Sequence, residues 1–372
     1  MRCDCAHGTG AGGIAGGNRH GGHWGTVFLV ATHYTSVVGP RVHGPRVQGF
    51  GPKGPRVRSK GPLVLALSCV LAASLSWVTF AAGPLDRTFG PLGPNLWTLG
   101  PWTLGPTRIV SLVPAVTEML FAIGAGADVV GVSSYDRFPP EALSKPKVGA
   151  LVDPDFERIL SLRPDLVVVY GTQTDLIARL DRARIPAFTY ENFGLAEITA
   201  TIRQLGDRLG RAAEASALAG RIDRDLAEIK RTVAGKPRPK TVLIFGREPG
   251  SLRGIYASGG VGFMHDMLEI AGGIDIFADI KRQNLQATTE MLLTRAPEVI
   301  IEVHPGDPWP QSKIDDARRV WSTLSTVPAV RTGRIYELVD DRLSIPGPRV
   351  AEAVRLLAAA LHKDLGSRIR SK

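Results

Sequence analysis

Two related stretches decide the fold: ERILSLRPDLVV at residues 157–168 and EMLLTRAPEVII at residues 290–301. In each, a glutamate opens a short helix, a proline seven residues later ends it, an acidic residue follows and an apolar strand begins. One such glutamate would be ordinary, because an acid in the first turn stabilises the helix dipole. Two copies predict two similar lobes that carry a glutamate at equivalent positions, Glu157 and Glu290.

Strand and helix patterns alternate on both sides of these stretches. We assign an N-terminal α/β lobe to residues 107–194 and a C-terminal α/β lobe to residues 237–366. Between them, residues 195–236 carry one apolar stripe at helical spacing, which predicts a connecting helix with a kink or a brief stop at Gly210. The predicted fold is therefore α/β, with two Rossmann-like lobes joined by a long backbone helix.

The first 106 residues are rich in Gly and Pro and differ from the rest of the chain. Residues 1–62 repeat Gly-Pro-Arg-Val three times without packing periodicity, so we interpret them as low-complexity sequence that stays unfolded or precedes the true translation start. Residues 63–82 are uncharged, follow basic residues and end in small residues, as a secretory signal peptide does. A retained membrane anchor and lipid attachment at Cys69 are the alternatives. Residues 83–106 form a Gly/Pro-rich linker.

Charge and cysteine content exclude several classes of protein. The net charge is +10, but the eight basic residues and one acidic residue of residues 1–62 supply +7 of it. The nearly balanced remainder lacks the dense basic surface that nucleic-acid binding needs. The three cysteines are Cys3, Cys5 and Cys69, so the folded body holds neither a disulfide nor a thiolate metal site.

Ordered motifs in the body resemble a known family. TRIVSLVPAVTE at 107–118, GVSSYD at 131–136 and LEIAGG at 268–273, together with the Glu157 stretch, are similar to periplasmic substrate-binding proteins for vitamin B12 and ferric siderophores. The similarity runs from residue 107 to residue 362. It implies the type III fold, with a helical backbone between two lobes. It also implies a receptor that binds one large ligand in the interlobe cleft and delivers it to the permease and ATPase of an ABC importer.

The resemblance also supplies candidate site residues. Glu157 and Glu290 match the glutamates with which the family docks to arginines of the permease, where charge-assisted pairs would orient the encounter. Tyr135 and Tyr170 match aromatic positions of the cleft and would offer flat faces to a macrocycle or an iron chelate.

Other positions leave the ligand open between a corrinoid and a ferric siderophore. Leu151 and Asn284 stand where the vitamin B12 binder has tryptophans, which is a departure from the corrinoid pattern. Arginines and a tyrosine on predicted loops at strand ends would instead suit a carboxylate-rich siderophore. These residues are Arg247, Arg253, Tyr256 and Arg342.

The sequence favours a binding protein over an enzyme or a receptor for bare metal ions. No Gly-x-Ser-x-Gly elbow or P-loop occurs in the body. Its histidines, His265, His304 and His362, show no His-x-x-x-His spacing and no neighbouring acidic cluster, so we expect no metal-binding residues and no cofactor. We expect a periplasmic or otherwise extracytoplasmic monomer. The alternatives are a membrane-tethered ligand sensor and an enzyme on the same scaffold.

Overall fold

The computed structural model describes residues 105–365, and the predictions for residues 1–62, 63–82 and most of 83–106 lie outside that range. The first of its two sheets has four parallel strands in the order β2-β1-β3-β4. These strands are β1 (Ile109–Ser111), β2 (Val129–Val132), β3 (Leu166–Tyr170) and β4 (Ala187–Tyr190). The central strands β1 and β3 are almost wholly buried, as expected for a parallel sheet covered on both faces.

The second sheet has six strands and mixes the two orientations. Strands β10, β9 and β5 are parallel neighbours, β6 and β8 extend the sheet in antiparallel steps, and β7 pairs in parallel with β5. The strands are β5 (Lys240–Gly246), β6 (Ile255–Ser258), β7 (Ile274–Asp275), β8 (Asn284–Ala287), β9 (Val299–His304) and β10 (Ile335–Val339). The sequence pattern predicts β5, β9 and β10. It misses β6, β7 and β8, because these strands are short and mix polar with apolar residues.

Ten α-helices within residues 105–365 cover the sheets or connect them. They are α1 (Pro114–Ala122), α2 (Phe156–Ser161), α3 (Thr174–Arg182), α4 (Leu195–Arg208), α5 (Ala212–Val233), α6 (Phe263–Ile270), α7 (Thr289–Arg295), α8 (Gln311–Arg319), α9 (Pro328–Arg331) and α10 (Val350–Leu361). Proline occupies the first turn of α1, where its missing N–H costs no helical hydrogen bond.

The two repeated stretches of sequence fold into repeated structure. The residue before each proline adopts the left-handed backbone conformation, with φ of 46° in one copy and 49° in the other. The acid after each proline accepts a hydrogen bond from the backbone where the neighbouring central strand begins. Asp165 accepts from the N–H of Arg108 at 3.0 Å, and Glu298 accepts from the N–H of Lys240 at 2.8 Å. The acids therefore join each helix-to-strand turn to the adjacent strand.

Of the kink or brief stop predicted at Gly210, the structure has the stop, and the connecting helical region folds back on itself there. The chain reverses between α4 and α5 at Gly210, whose φ of +67° favours glycine. Arg203 pairs with Asp223 across the two helices at 2.9 Å. Gly206 faces Ala215 so closely that a Cβ atom on the glycine would lie 2.3 Å from the alanine Cβ. Of the two, α5 is the longer, at 22 residues or about 33 Å.

One buried apolar cluster runs through both sheets and the helices between them. It includes Ile109 of β1, Ile202 of α4, Leu226 of α5, Ile301 of β9 and Leu357 of α10. Two smaller clusters fill the remaining faces of the sheets. Apolar burial through the connecting helices therefore joins the two halves of the described chain.

Candidate functional site

The loops that follow the parallel strands of the two sheets face each other. Arg137, in the loop after β2, donates a hydrogen bond to Asp307 beyond β9 at 2.6 Å. The same guanidinium lies 3.6 Å from Asp341 beyond β10. We call the region bounded by the loops after β2, β3, β9 and β10 the interlobe site. Ligands of open parallel sheets bind at this end of the strands.

A buried ion pair joins the N-terminal and C-terminal halves beside the interlobe site. Glu118 of α1 is 2% exposed and accepts two hydrogen bonds from Arg349, one of them from Nε at 2.9 Å. Burial raises the pKa of the Glu118 carboxyl, and Arg349 opposes that rise. The guanidinium of Arg349 also lies 3.9 Å from the centre of the Phe138 ring. Arg349 therefore contacts two separate segments of the N-terminal half.

Tyr170 and Tyr190 form an aromatic pair where β3 and β4 end. Their ring centres lie 6.1 Å apart in an edge-to-face arrangement. The hydroxyl of Tyr190 donates to the backbone oxygen of Pro346, in the C-terminal half, at 3.4 Å. Burial raises the pKa of both phenols, so both are neutral at physiological pH. Tyr170 is half-buried at the strand end that the resemblance assigned to it.

Tyr135 and Asp136 lie on the same side, in the loop after β2. Tyr135 is half-buried, and its backbone N–H donates to the Ser133 hydroxyl at 3.2 Å. Asp136 is buried, and neither of its carboxylate oxygens makes a hydrogen bond of normal geometry within the described chain. Burial raises the pKa of Asp136 to about 7, while Thr117 and Lys147 act in the opposite direction. A buried carboxyl with a raised pKa therefore follows the candidate tyrosine directly in the chain.

Arg247 is held inside the C-terminal half by protein contacts. Its side chain is 8% exposed, and its Nε donates to both oxygens of Glu302 at 3.0 Å. Further N–H groups donate to the backbone oxygens of Ser251 and Ala317, each at 3.1 Å. Arg247 was predicted to bind the ligand, but each nitrogen of its guanidinium already donates to a protein acceptor.

The other three residues of the proposed arginine cluster occupy different settings. Arg253 is exposed and pairs with Glu248 at 3.0 Å. Tyr256 lies in strand β6 and not in a loop, which corrects that prediction. Arg342 follows β10 and binds Asp340 and Glu352, the latter at 2.7 Å. Hydrogen bonding to Asp340 raises the pKa of Arg342 further above its usual range.

Leu151 and Asn284, the two departures from the corrinoid pattern, lie in different halves of the described chain. The backbone oxygen of Leu151 accepts from Gln173 at 3.0 Å, and Gln173 in turn accepts from the N–H of Tyr170 at 3.0 Å. Gln173 thereby links the backbones of Leu151 and Tyr170. Asn284 begins β8, the edge strand of the second sheet, and is buried opposite Ser258.

Glu157 and Glu290 stand on exposed helix starts, one in each half. Each is the second residue of its helix, and the cap is provided by the residue two positions earlier. Asp155 accepts from the backbone of α2 at 2.9 Å, and the Thr288 hydroxyl accepts from the backbone of α7 at 3.3 Å. Neither glutamate side chain is therefore needed as the cap, and both are exposed to solvent.

One cluster of titratable groups was missed by the sequence analysis. Glu302 and His304 of β9 and Glu337 of β10 place one potential ligand atom each within 4.8 Å of one another. The expectation that no acidic cluster lies beside the histidines was therefore wrong for His304. The alternation of Glu302 and His304 along one strand was visible in the sequence, but the register that adds Glu337 was not.

An open groove of about 390 Å³ lies elsewhere, between α3 and β4. It is lined mainly by aliphatic and small side chains, including Ile177, Ala178 and Ile185, with Asp181 among them. None of the predicted site residues lines it. The convergence of paired charges and aromatic rings favours the interlobe site over this groove as the functional region.

The sequence and the fold have clear counterparts among known proteins. A family model described as periplasmic binding protein matches residues 109–341. The chain belongs to the periplasmic binding protein family. The vitamin B12-binding protein of Salmonella typhi is 30% identical over 277 residues, covering 74% of this chain and 97% of that protein. A substrate-binding lipoprotein of a Bacillus subtilis ABC transporter, described as uncharacterized, is also 30% identical, covering 70% of this chain and 81% of its own length.

Solved structures of other periplasmic binding proteins share the architecture. The apo form of a periplasmic heme-binding protein from Roseiflexus sp. RS-1 is 26% identical, with a TM-score of 0.60, covering 70% of this chain and all of that one. The resemblance inferred from the motifs and the α/β fold are thus confirmed, and the chain is a binding protein and not an enzyme. Among residues 105–365, no helix has the length and apolar character to cross a membrane.

Proposed function

We propose that this protein is the extracytoplasmic receptor of an ABC importer and that it binds a corrinoid in the interlobe site. The observation that carries the proposal is the match to nearly the full length of a vitamin B12-binding protein at 30% identity. A corrinoid is a large planar macrocycle, and Tyr135 and Tyr170 are the aromatic side chains at the strand ends that would contact it.

The docking half of the proposal rests on Glu157 and Glu290. They are exposed and occupy the same position in the two halves, and another residue caps each helix. Two carboxylates on separate lobes would pair with basic groups on a permease and orient the receptor on it. The predicted extracytoplasmic location follows from this role.

A titration with cyanocobalamin tests the ligand. We expect saturable one-to-one quenching of tryptophan and tyrosine fluorescence at micromolar concentrations or below. Tyr170→Phe keeps a flat ring and should change Kd less than threefold, whereas Tyr170→Ala should raise Kd at least tenfold, or about 1.4 kcal/mol. Equal affinities for both variants would remove Tyr170 from the site.

Hemin and a ferric siderophore serve as competing ligands in the same assay. Heme is the second candidate, because a periplasmic heme-binding protein shares the fold at 26% identity. The siderophore alternative depends on basic residues, and Arg247 already has internal partners. Binding of hemin or siderophore without cyanocobalamin binding would overturn the corrinoid assignment and keep the receptor class. Binding of none of the three would contradict the proposed ligand class.

A further inference from the structure

Two parallel strands place an imidazole and two carboxylates against one another. Glu302 and Glu337 are register partners on β9 and β10, and His304 lies two residues after Glu302 on the same face of β9. The Nε2 atom of His304 is 2.6 Å from an oxygen of Glu337 and 3.9 Å from an oxygen of Glu302. The three donor atoms therefore converge on one point between the strands.

The cluster has two carboxylates, Glu302 and Glu337, but Arg247 pairs with Glu302 alone. The Glu302 side chain is 2% exposed and that of Glu337 is fully buried. Arg247 neutralises Glu302, to which it donates from Nε. The second carboxylate has His304 as its partner, and its other oxygen, Oε1, is buried without a hydrogen-bond partner in the described chain. An unpaired buried carboxylate oxygen is costly, so its presence points to a ligand for it.

We propose that His304, Glu337 and Glu302 form a binding site for one divalent transition-metal ion of the Zn²⁺ type. Imidazole nitrogen and carboxylate oxygen are ligands that Zn²⁺ accepts, at about 2.0–2.2 Å. Two such ligands on one tetrahedral ion stand about 3.4 Å apart, a value between the 2.6 and 3.9 Å separations found here. Small side-chain shifts suffice to seat the ion.

The surroundings of the cluster match those of a supported metal site. Glu302 is oriented by Arg247 and by Trp321, whose ring N–H donates to Oε1 at 2.5 Å. Such outer contacts fix the direction of a ligating carboxylate. The His304 side chain is 21% exposed and stacks on Trp309 with ring centres 4.0 Å apart. Metal can therefore approach from the His304 side, because the two carboxylates are buried.

The alternative to a bound metal ion is a proton on His304. A protonated His304 would balance Glu337 and account for the 2.6 Å contact without any metal. The metal proposal is tested by Zn²⁺ stoichiometry and the receptor proposal by cyanocobalamin binding, so failure of one is distinguishable from failure of the other.

Equilibrium dialysis of the full chain against Zn²⁺ distinguishes the two occupants. Residues 1–62 also contain histidines and cysteines that could take up Zn²⁺, so the informative quantity is the difference between variants that all keep those residues. We expect His304→Gln and Glu337→Gln each to bind one equivalent less than the wild-type chain. His265→Gln is the matched control, because His265 is similarly half-buried but contacts one carboxylate, Asp275, at 3.0 Å. It should lose no equivalent.

A second readout is local to the cluster. Bound Cu²⁺ should quench the fluorescence of Trp309 through its contact with His304, and this component should be missing in Trp309→Phe and in His304→Gln. Circular dichroism checks that each variant is folded. Equal Zn²⁺ stoichiometry in the wild type, His304→Gln and Glu337→Gln would overturn the metal site and assign the cluster to the proton. Equal loss in His265→Gln would overturn it as well.

Discussion

Glu157 and Glu290 occupy the same position in two repeated structural units, one in each half of the described chain. Each is the second residue of an exposed helix and follows a capping residue by two positions. Each unit then turns through a left-handed residue and a proline into a buried strand. The proposed docking to a permease therefore predicts that both glutamates contribute to it, one from each half of the described chain.

Charge removal at these two positions tests docking. Glu157→Gln and Glu290→Gln together should reduce ligand-dependent ATPase activity of the reconstituted permease at least tenfold, because the paired charges orient the receptor. Ligand affinity should stay unchanged, since neither residue lies in the interlobe site. Glu214→Gln is the matched control, as Glu214 is also an exposed acid in the first turn of a helix. A loss of similar size in the control would contradict specific docking.

Removal of Arg349 should destabilise the fold because it leaves Glu118 buried without its partner. We expect Arg349→Gln to lower the free energy of unfolding by about 3 kcal/mol. Arg203→Gln breaks an exposed pair with Asp223 and should cost about 1 kcal/mol or less. Urea denaturation measures both. Equal losses would show that the Glu118 pair contributes no more than a surface pair.

Asp136 should make stability depend on pH between about 4 and 7. Its folded-state pKa is raised, so the folded protein holds a proton there that the unfolded chain has released. The corresponding stabilisation is fully present below pH 4 and is lost as pH rises through 7, on the order of 4 kcal/mol in total. Asp136→Asn cannot ionise and should remove this dependence when unfolding is measured at pH 5 and pH 8.

The surface variant Asp207→Asn controls for the removal of one carboxyl group. The charged and polar groups that influence Asp136, namely Glu118, Lys147 and Thr117, are unchanged in both variants. If the difference in unfolding free energy between pH 5 and pH 8 is the same in the wild type and in Asp136→Asn, the buried carboxyl does not titrate in this range.

Two helical glycines should respond in opposite directions to alanine. A Cβ atom at Gly206 would lie 2.3 Å from that of Ala215, so Gly206→Ala should destabilise the α4–α5 contact by about 1–3 kcal/mol. Gly220 of α5 has room, with only the end of the flexible Arg224 side chain near its Cβ direction. Gly220→Ala should stabilise the protein by about 0.5–1 kcal/mol through helix propensity. Thermal unfolding reports both, and a stabilised Gly206→Ala would show that the helices can separate there.

The repeated stretches, the alternation of strands and helices and the family motifs could all be read from the sequence. These features are local: apolar runs of four to six residues, prolines and glycines at helix ends, and acids at fixed offsets determine backbone preferences over a single turn or strand. The order of short helix, proline and buried strand was predicted for both stretches, and both have it. The positions of Glu157 and Glu290 on exposed helix starts followed from the same local pattern.

Contacts between distant segments were decided only by the tertiary structure. The sequence predicted Arg247 to lie on a loop and contact the ligand. In the structure its side chain is buried and forms an ion pair with Glu302. The register of β9 with β10 created the His304 cluster, and a shift of one residue would have pointed Glu337 to the other face of the sheet. The reversal at Gly210 made two packed helices from one continuous stripe. Sequence periodicity specifies which face of an element is buried, but the partner across that face depends on the packing of the whole chain.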